Sequence, residues 1–343
     1  MAQRISLVVI ARDEAARIGR LLDSVAPWVD AMLVLDTGSR DDTPRIAAAH
    51  GARVEHFAWC DDFSAARNRA LELAAADWHL VLDADEWLLD GGPALRALRQ
   101  MAPDFAGSIA LRDHFDGGTS QGRLLRVLPG FVRYAGRIHE QPQHQLPQRA
   151  LDLTIGHDGY LNERLAAKRG RNEALLRADL AQRPDDAYLW YQLGKDAYVY
   201  EDYAQAEAAF ERAAGLPHPD GGWWLDLMAR RLFALKSLKR HADALALAEP
   251  ELQRCGESPD FFFALGDLLL DFAADTPAQA EALVPMIEEA WQRCLLLGER
   301  PELSGAVAGR GSHLAAHNLA LLMEATGRAE RAAALRQAYP APV

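Results

Sequence analysis

The sequence predicts an α/β layered domain followed by an all-α helical-repeat domain, and two observations carry that prediction. From Ile5 to about Tyr160, short apolar runs alternate with stretches whose apolar residues recur at helical spacing. From about Lys168 onward the strand signal disappears and helix follows helix. The expected division is residues 1–165 and 166–343.

Within the first part, "ISLVVIA" and "AMLVLD" are apolar on both alternating faces, the mark of buried parallel strands. Between them, "DEAARIGRLLDSVAPW" sets Ile18, Leu21, Leu22 and Val25 on one helical face, which makes a βαβ unit. A second helix, "DDTPRIAAAHG", has Pro44 near its start and Gly51 past its end, and "ARVEHF" follows as a strand. "DFSAARNRALELAAA" predicts a third helix and "DWHLVLDADEW" the next strand. Ligands of such sheets gather outside the carboxyl ends of the strands, so polar residues there are the candidates for function.

In the second part, Trp190, Leu193, Gly194, Ala206, Phe210 and Ala213 match most of the large-and-small pattern of a tetratricopeptide repeat. Ala197 stands where that pattern prefers Tyr. "FFALGDLLLDFAAD" and "HNLALLMEATGRAERAAALRQAY" read as more degenerate copies, so roughly three to five helix pairs are expected. Trp223, Trp224 and Phe261 to Phe263 read as packing residues. Such an array can stabilise, dimerise or bind peptide, and the pattern does not choose among these.

Composition narrows the function classes. With 50% hydrophobic and 25% charged residues the chain is an ordinary globular protein. A net charge of −12 argues against general nucleic-acid binding, while leaving room for an anionic small ligand met by a metal or a few basic side chains. Cys60, Cys255 and Cys294 are too few and too scattered for a disulfide framework or a Cys-based zinc site, and a reducing cytoplasm is expected. No run is long enough for a signal segment or a membrane span.

The strand ends hold the chemistry. Asp13 and Glu14 follow the first strand, as a helix-capping pair or as the border of a pocket. Asp36 closes the second strand before Thr37-Gly38-Ser39, where it suits either the turn or a base or ribose group. Arg67 lies on the third helix, as a solvated charge or with its planar fork on a diphosphate. Asp83 and Asp85 flank Ala84 at the tip of an apolar strand. In an extended chain residues i and i+2 face the same way, so both carboxylates are expected to converge on a divalent cation such as Mg²⁺ or Mn²⁺. Downstream, Arg123, Arg126, Arg133 and Arg137 accompany His139 and Glu140, and "IGHDGY" carries His157 and Tyr160. Glu140 is the best unassigned general base, and each histidine is either structural or a metal or phosphate contact.

Taken in order, "LVVIARDEAARI", "VLDTGSRDDT", "DDFSAARNRAL", "DWHLVLDADE", "RLLR", "GRIHE" and "GHDGY", followed by "KRGRNEALL", resemble the family 2 glycosyltransferases of the GT-A fold. They are similar in particular to the branch in which tetratricopeptide repeats follow the domain, which includes the sublancin S-glycosyltransferase. The resemblance implies a nucleotide-sugar donor, most simply a UDP-sugar, a divalent metal (Mn²⁺ or Mg²⁺), and inversion at the anomeric carbon. It implies nucleotide-sugar contacts from Asp13, Glu14, Asp36, Arg67, Asp83 and Ala84, and a metal held by Asp83, Asp85 and His157. Glu140, with His139, is the implied catalytic pair. Many members carry a Glu-Asp pair after the acceptor loop, which does not follow Glu140 here, and Asp116 is the next candidate. A peptide, a protein or a glycan is the expected acceptor, and the repeats can support a homodimer. Two other readings stay open at this level. One is nucleotidyl transfer, although no Gly-rich phosphate loop follows the first strand; the other is a non-catalytic repeat adaptor.

Overall fold

The computed structural model describes residues 2–115, 118–158, 170–218 and 222–341, without the side chains of 114, 115 and 118–121. The chain divides into two compact units, Met1–Thr119 with Arg123–Asp179, and Ser120–Gly122 with Leu180–Val343.

The first unit opens with β1 (Ile5–Ala11), α1 (Ile18–Val25), β2 (Ala31–Asp36), α2 (Thr43–Ala49), β3 (Arg53–His56), α3 (Phe63–Ala74) and β4 (Trp78–Asp83). It continues with β5 (Glu86–Asp90), α4 (Gly92–Ala97), β6 (Ala106–Phe115), β7 (Gly118–Pro129), β8 (Arg133–Ala135), β9 (Gln141–Gln143) and β10 (Gln148–His157). Strands β1, β2, β3 and β4 are parallel neighbours, as the continuous apolar runs of β1 and β2 predict for those two. Leu7 and Val9 of β1 pack with Ile18, Leu21, Leu22 and Val25 of α1 on one face of the sheet. Val8 packs with Ala66, Ala70 and Leu71 of α3 on the other. Asp62 caps α3, its carboxylate accepting from the backbone N–H of Ala65 at 2.9 Å.

The full sheet runs β3-β2-β1-β4-β7-β6-β10-β5, and a hairpin of β8 and β9 stands beside it. Here the sequence expectation needs a correction: "DWHLVLDADEW" is not one strand, because Ala84 and Asp85 form a turn between β4 and β5. Three strands separate β4 from β5 in the sheet, which laid flat would hold them about 19 Å apart at the usual strand spacing. Three Cα steps reach at most about 11 Å. The sheet therefore curls until β5 meets the end of β4, and that closure gathers the polar strand ends.

His79, in β4, is only 1% exposed, and its Nε2 accepts a long hydrogen bond from Ala76 N at 3.4 Å. Burial, helped by the charge of Arg133, pushes its pKa down to about 4. The neutral ring is therefore a native-state requirement. Its stabilisation is complete above the unfolded value near 6.5 and is lost as pH falls towards 4, by roughly 3 kcal/mol from this group alone. His79→Gln should flatten the fall in melting temperature between pH 6.5 and 4.5 relative to wild type; an unchanged slope would refute the assignment.

Helix α5 (Arg171–Gln182) begins in the first unit and ends in the second, where α6 (Ala187–Val199), α7 (Tyr203–Ala214), α8 (Trp223–Ser237) and α9 (His241–Glu251) follow. Then come α10 (Pro259–Asp275), α11 (Ala280–Leu297), α12 (His313–Ala325) and α13 (Ala329–Ala338). From α6 onward the described helices form four packed pairs, each also touching the next pair, as a repeat array requires. The small residues explain the close approach. A Cβ on Gly194 of α6 would run into the ring of Phe210 on α7, and one on Gly266 of α10 into the indole of Trp291 on α11. The same glycine-under-aromatic contact thus recurs in two pairs. Trp224, Phe261 and Phe262 are buried, as packing residues should be.

Candidate functional site

The acidic tip of β4 is built into an ion-pair chain. Asp83 Oδ1 accepts from Arg67 Nη2 at 2.9 Å, and its Oδ2 accepts from Arg126 Nη2 at 2.9 Å. The same Arg126 nitrogen donates to Glu86 Oε1 at 2.6 Å, and Glu86 Oε2 accepts from the backbone N–H of Asp83 at 2.8 Å. At the other end, Arg67 Nε donates to Glu140 Oε1 at 2.6 Å. The chain Glu140–Arg67–Asp83–Arg126–Glu86 joins α3, β4, β5, β7 and the tip of the β8–β9 hairpin.

Burial tends to raise the Asp83 pKa, but Arg126 and Arg67 outweigh it and hold the carboxyl well below its usual range. Glu86 is 2% exposed, and there burial wins: its pKa is pushed up to about 7 despite the attraction of Arg126. Tyr134, whose ring lies 5.3 Å from the Arg67 guanidinium carbon, is pushed up to about 12 by burial.

Sheet register builds a second cluster. In β10, His157 lies opposite Glu86 of β5 and Asp113 of β6. Its Nδ1 is 2.6 Å from Asp113 Oδ1, and its Nε2 is 3.5 Å from Asp85 Oδ2. Burial works against the imidazolium, but hydrogen bonds to Asp113 and Asp85 raise its pKa to about 10. The ring is thus engaged through both nitrogens, one towards each carboxylate.

The expected convergence of Asp83 and Asp85 is not what the chain adopts. Ala84 and Asp85 sit in a turn, so the same-side rule for an extended strand fails. Asp83 faces the arginines, Asp85 faces His157, and buried Ala84 lies between. Among the described residues no group of three His, Cys, Asp or Glu side chains is arranged to hold a metal. Asp85 with His157 nevertheless fits one. The pair offers an oxygen and a nitrogen on one side, and the carboxylate on Nδ1 is the usual outer partner of a metal-binding histidine.

Arg67 also differs from expectation. It is 4% exposed, and its Nε and Nη2 are engaged by Glu140 and Asp83. The hairpin that delivers Glu140 is fastened to the same helix: Asn68 Nδ2 donates to Tyr134 O at 2.9 Å, and Tyr134 N donates to Asn68 Oδ1 at 2.7 Å. His139, just before Glu140, has φ 51°, a left-handed turn conformation that tips Glu140 back towards α3.

Asp36 is 4% exposed, and its carboxylate accepts from Gly38 N and Ser39 N at 3.2 Å, with His56 Nδ1 3.3 Å away. The turn reading accounts for those bonds. Asp13 and Glu14 do not cap α1. Asp13 Oδ1 accepts from Arg40 N at 2.7 Å, and Glu14 accepts from Arg17 Nε at 2.7 Å, while its own N–H donates to Thr43 Oγ1 at 2.7 Å. The loops after β1 and β2 are thereby tied together beside Asp36. Of the downstream arginines only Arg126 joins the acidic tip. Arg123 donates to the carbonyls of Ser108 and Leu151, Arg133 to those of Gly130 and Val132, and Arg137 pairs with Asp179. Asp116 and Tyr160 lie outside the described residues. Asp113 escaped the sequence reading, since "RDHF" carries no spacing that links it to His157.

Residues 6–160 match the model of the family described as glycosyl transferase family 2. That span includes all of the curled sheet except Ile5 of β1, and both ionic clusters. The chain carries a glycosyl transferase family 2 domain. A TPR repeat-containing protein of Synechococcus elongatus is 41% identical over 213 residues, covering 57% of this chain and 52% of that protein. The SPbeta prophage-derived glycosyltransferase SunS of Bacillus subtilis is 28% identical over 211 residues, covering 58% and 50%. The chain therefore spans about half the length of the curated relatives it matches. Among solved structures, glucosyl-3-phosphoglycerate synthase from Mycobacterium tuberculosis in complex with Mn²⁺, UDP and glucosyl-3-phosphoglycerate shares 28% identity. That likeness covers 34% of this chain and 45% of the synthase, with a TM-score of 0.27. No helix of the described residues is long and apolar enough to cross a membrane.

Proposed function

We propose that this chain is a metal-dependent, inverting glycosyltransferase that moves a sugar from a nucleotide-diphosphate sugar to a peptide, protein or glycan acceptor. In this reading residues 1–165 are the transferase domain and 166–343 the helical-repeat domain. The observation that carries the reading is the pairing of Asp85 with a carboxylate-backed His157 at the strand ends of a family 2 domain. UDP is the first nucleotide to test.

Asp85 and His157 would hold the divalent ion, Mn²⁺ or Mg²⁺, which when bound neutralises charge on the departing diphosphate. The protein's own part is positional. Asp83 does not compete for the ion, because two arginines hold it; instead it fixes Arg126 and Arg67 at the mouth of the site. Arg67 Nη1, Arg126 Nε and the Tyr134 hydroxyl are buried with no partner among the described residues, so donors remain beside the acidic tip for an anionic group. Asp36, with Asp13 and Glu14 near it, would border the nucleoside. Glu140 would take the acceptor proton: Arg67 fixes its Oε1, which leaves Oε2 as the accepting atom. His139 then serves by shaping the turn.

A panel of nucleotide sugars with Mn²⁺ or Mg²⁺, followed by thermal shift and slow donor hydrolysis, tests the assignment. Metal-dependent stabilisation by one nucleotide is expected, and its absence across the panel would remove the reading. Glu140→Gln should bind donor and metal as wild type does, yet slow transfer by about a hundredfold or more. Loss of donor binding instead would make Glu140 a structural residue.

A further inference from the structure

Asp113 has no part in the resemblance, yet it pairs with the histidine that faces Asp85. It sits in β6, whose parallel register with β10 sets Asp113 beside His157. Its side chain is 15% exposed, and its Oδ1 lies 2.6 Å from His157 Nδ1. On the far side of the same ring, Nε2 points to Asp85 Oδ2 at 3.5 Å. The imidazole is therefore held through both nitrogens, carboxylate to ring to carboxylate.

We infer that Asp113 is a positioning residue for metal binding: by accepting the Nδ1 proton it fixes the tautomer and rotation of His157 that present Nε2 to an ion shared with Asp85. The inference rests on the proposed Asp85–His157 site and extends it by one shell. An ion bound beside Asp85 would take the place of the proton on Nε2, while the proton on Nδ1 would stay, because a carboxylate at 2.6 Å from Nδ1 can only accept. The lone pair is then left on Nε2, facing Asp85. A carboxamide removes that certainty, since an asparagine can turn its NH₂ to Nδ1 and so drive the proton to Nε2, the wrong face for a metal.

The test is Mn²⁺ titration of the full chain, followed by electron paramagnetic resonance, in wild type, Asp113→Asn, Asp113→Glu and Asp85→Asn. Asp113→Asn should weaken Mn²⁺ binding about 10- to 100-fold, and Asp113→Glu should recover part of the loss because a carboxylate is again present. As a measurement that needs no variant, ¹⁵N NMR of the wild type with Mg²⁺ should show His157 protonated at Nδ1 and not at Nε2. Wild-type affinity in Asp113→Asn, with loss in Asp85→Asn, would overturn this inference and leave the metal site standing. Protonation at Nε2 in the Mg²⁺ form would overturn it as well. Failure of wild type itself to bind Mn²⁺ would overturn both.

Discussion

Asp85→Asn is expected to remove metal-dependent turnover while leaving the fold intact. Asparagine matches aspartate in size, and the Asp85 side chain is only 10% exposed in a turn whose packing it would preserve. The change deletes the charged oxygen that faces His157 Nε2 at 3.5 Å. An ion that stabilises a leaving diphosphate is worth several kcal/mol in the transition state, so the expected loss in transfer is of order 10³-fold or more. Asp83→Asn makes the informative contrast, because the two residues flank the same alanine and a simple paired-carboxylate site would treat them alike. Here Asp83 satisfies Arg67 and Arg126 instead. Asp83→Asn should retain Mn²⁺ affinity within a few-fold and lower the melting temperature, since it leaves two buried guanidinium groups without the carboxylate between them. Equal loss of Mn²⁺ affinity in both variants would show that Asp83 is a ligand and that its arginine pairing yields to the metal.

How much of this was legible in the residues depends on the range of the interaction. The βαβ start was legible because burial on both sheet faces writes itself as unbroken apolar runs such as "ISLVVIA", now β1, 0–1% exposed at Ile5, Leu7, Val8 and Val9. The first repeat pair was legible because Gly194 and Phe210 touch across a short loop, so their spacing is fixed. The acidic tip was legible as a site, yet its internal geometry was not. A two-residue turn and a three-strand detour decide where Glu86 goes, and neither leaves a periodic trace. The same holds for Arg126. In sequence it is one of several arginines, and only the antiparallel pairing of β7 with β4 sets it apart from Arg123 and Arg133, which hold backbone carbonyls. Asp113 and His157 meet through sheet register across 44 positions. The two carboxylate partners of Arg67 were not legible, because burial of a guanidinium between them cannot be read from a helical wheel.

That burial makes Arg67→Met the largest stability effect expected in the first unit. Methionine replaces most of the apolar stem, so the loss is mainly electrostatic. Glu140, 10% exposed in its side chain, would keep its desolvation cost without its partner, and Asp83 would rely on Arg126 alone. Removing one member of a buried pair typically costs about 3–5 kcal/mol. The hairpin should stay attached, because Asn68 still bonds the backbone of Tyr134, so the damage should centre on the orientation of Glu140. Arg67→Lys restores charge but offers a compact ammonium where a fork now spans Asp83 and Glu140, and should recover only part of the stability. The decisive measurement is a double-variant cycle in urea. Arg67→Met with Glu140→Gln should be less destabilised than the sum of the single changes, because the glutamine carries no charge to strand. Strict additivity would mean that the 2.6 Å contact between Arg67 and Glu140 carries no coupling, and the proposed placement of the base by Arg67 would fail with it.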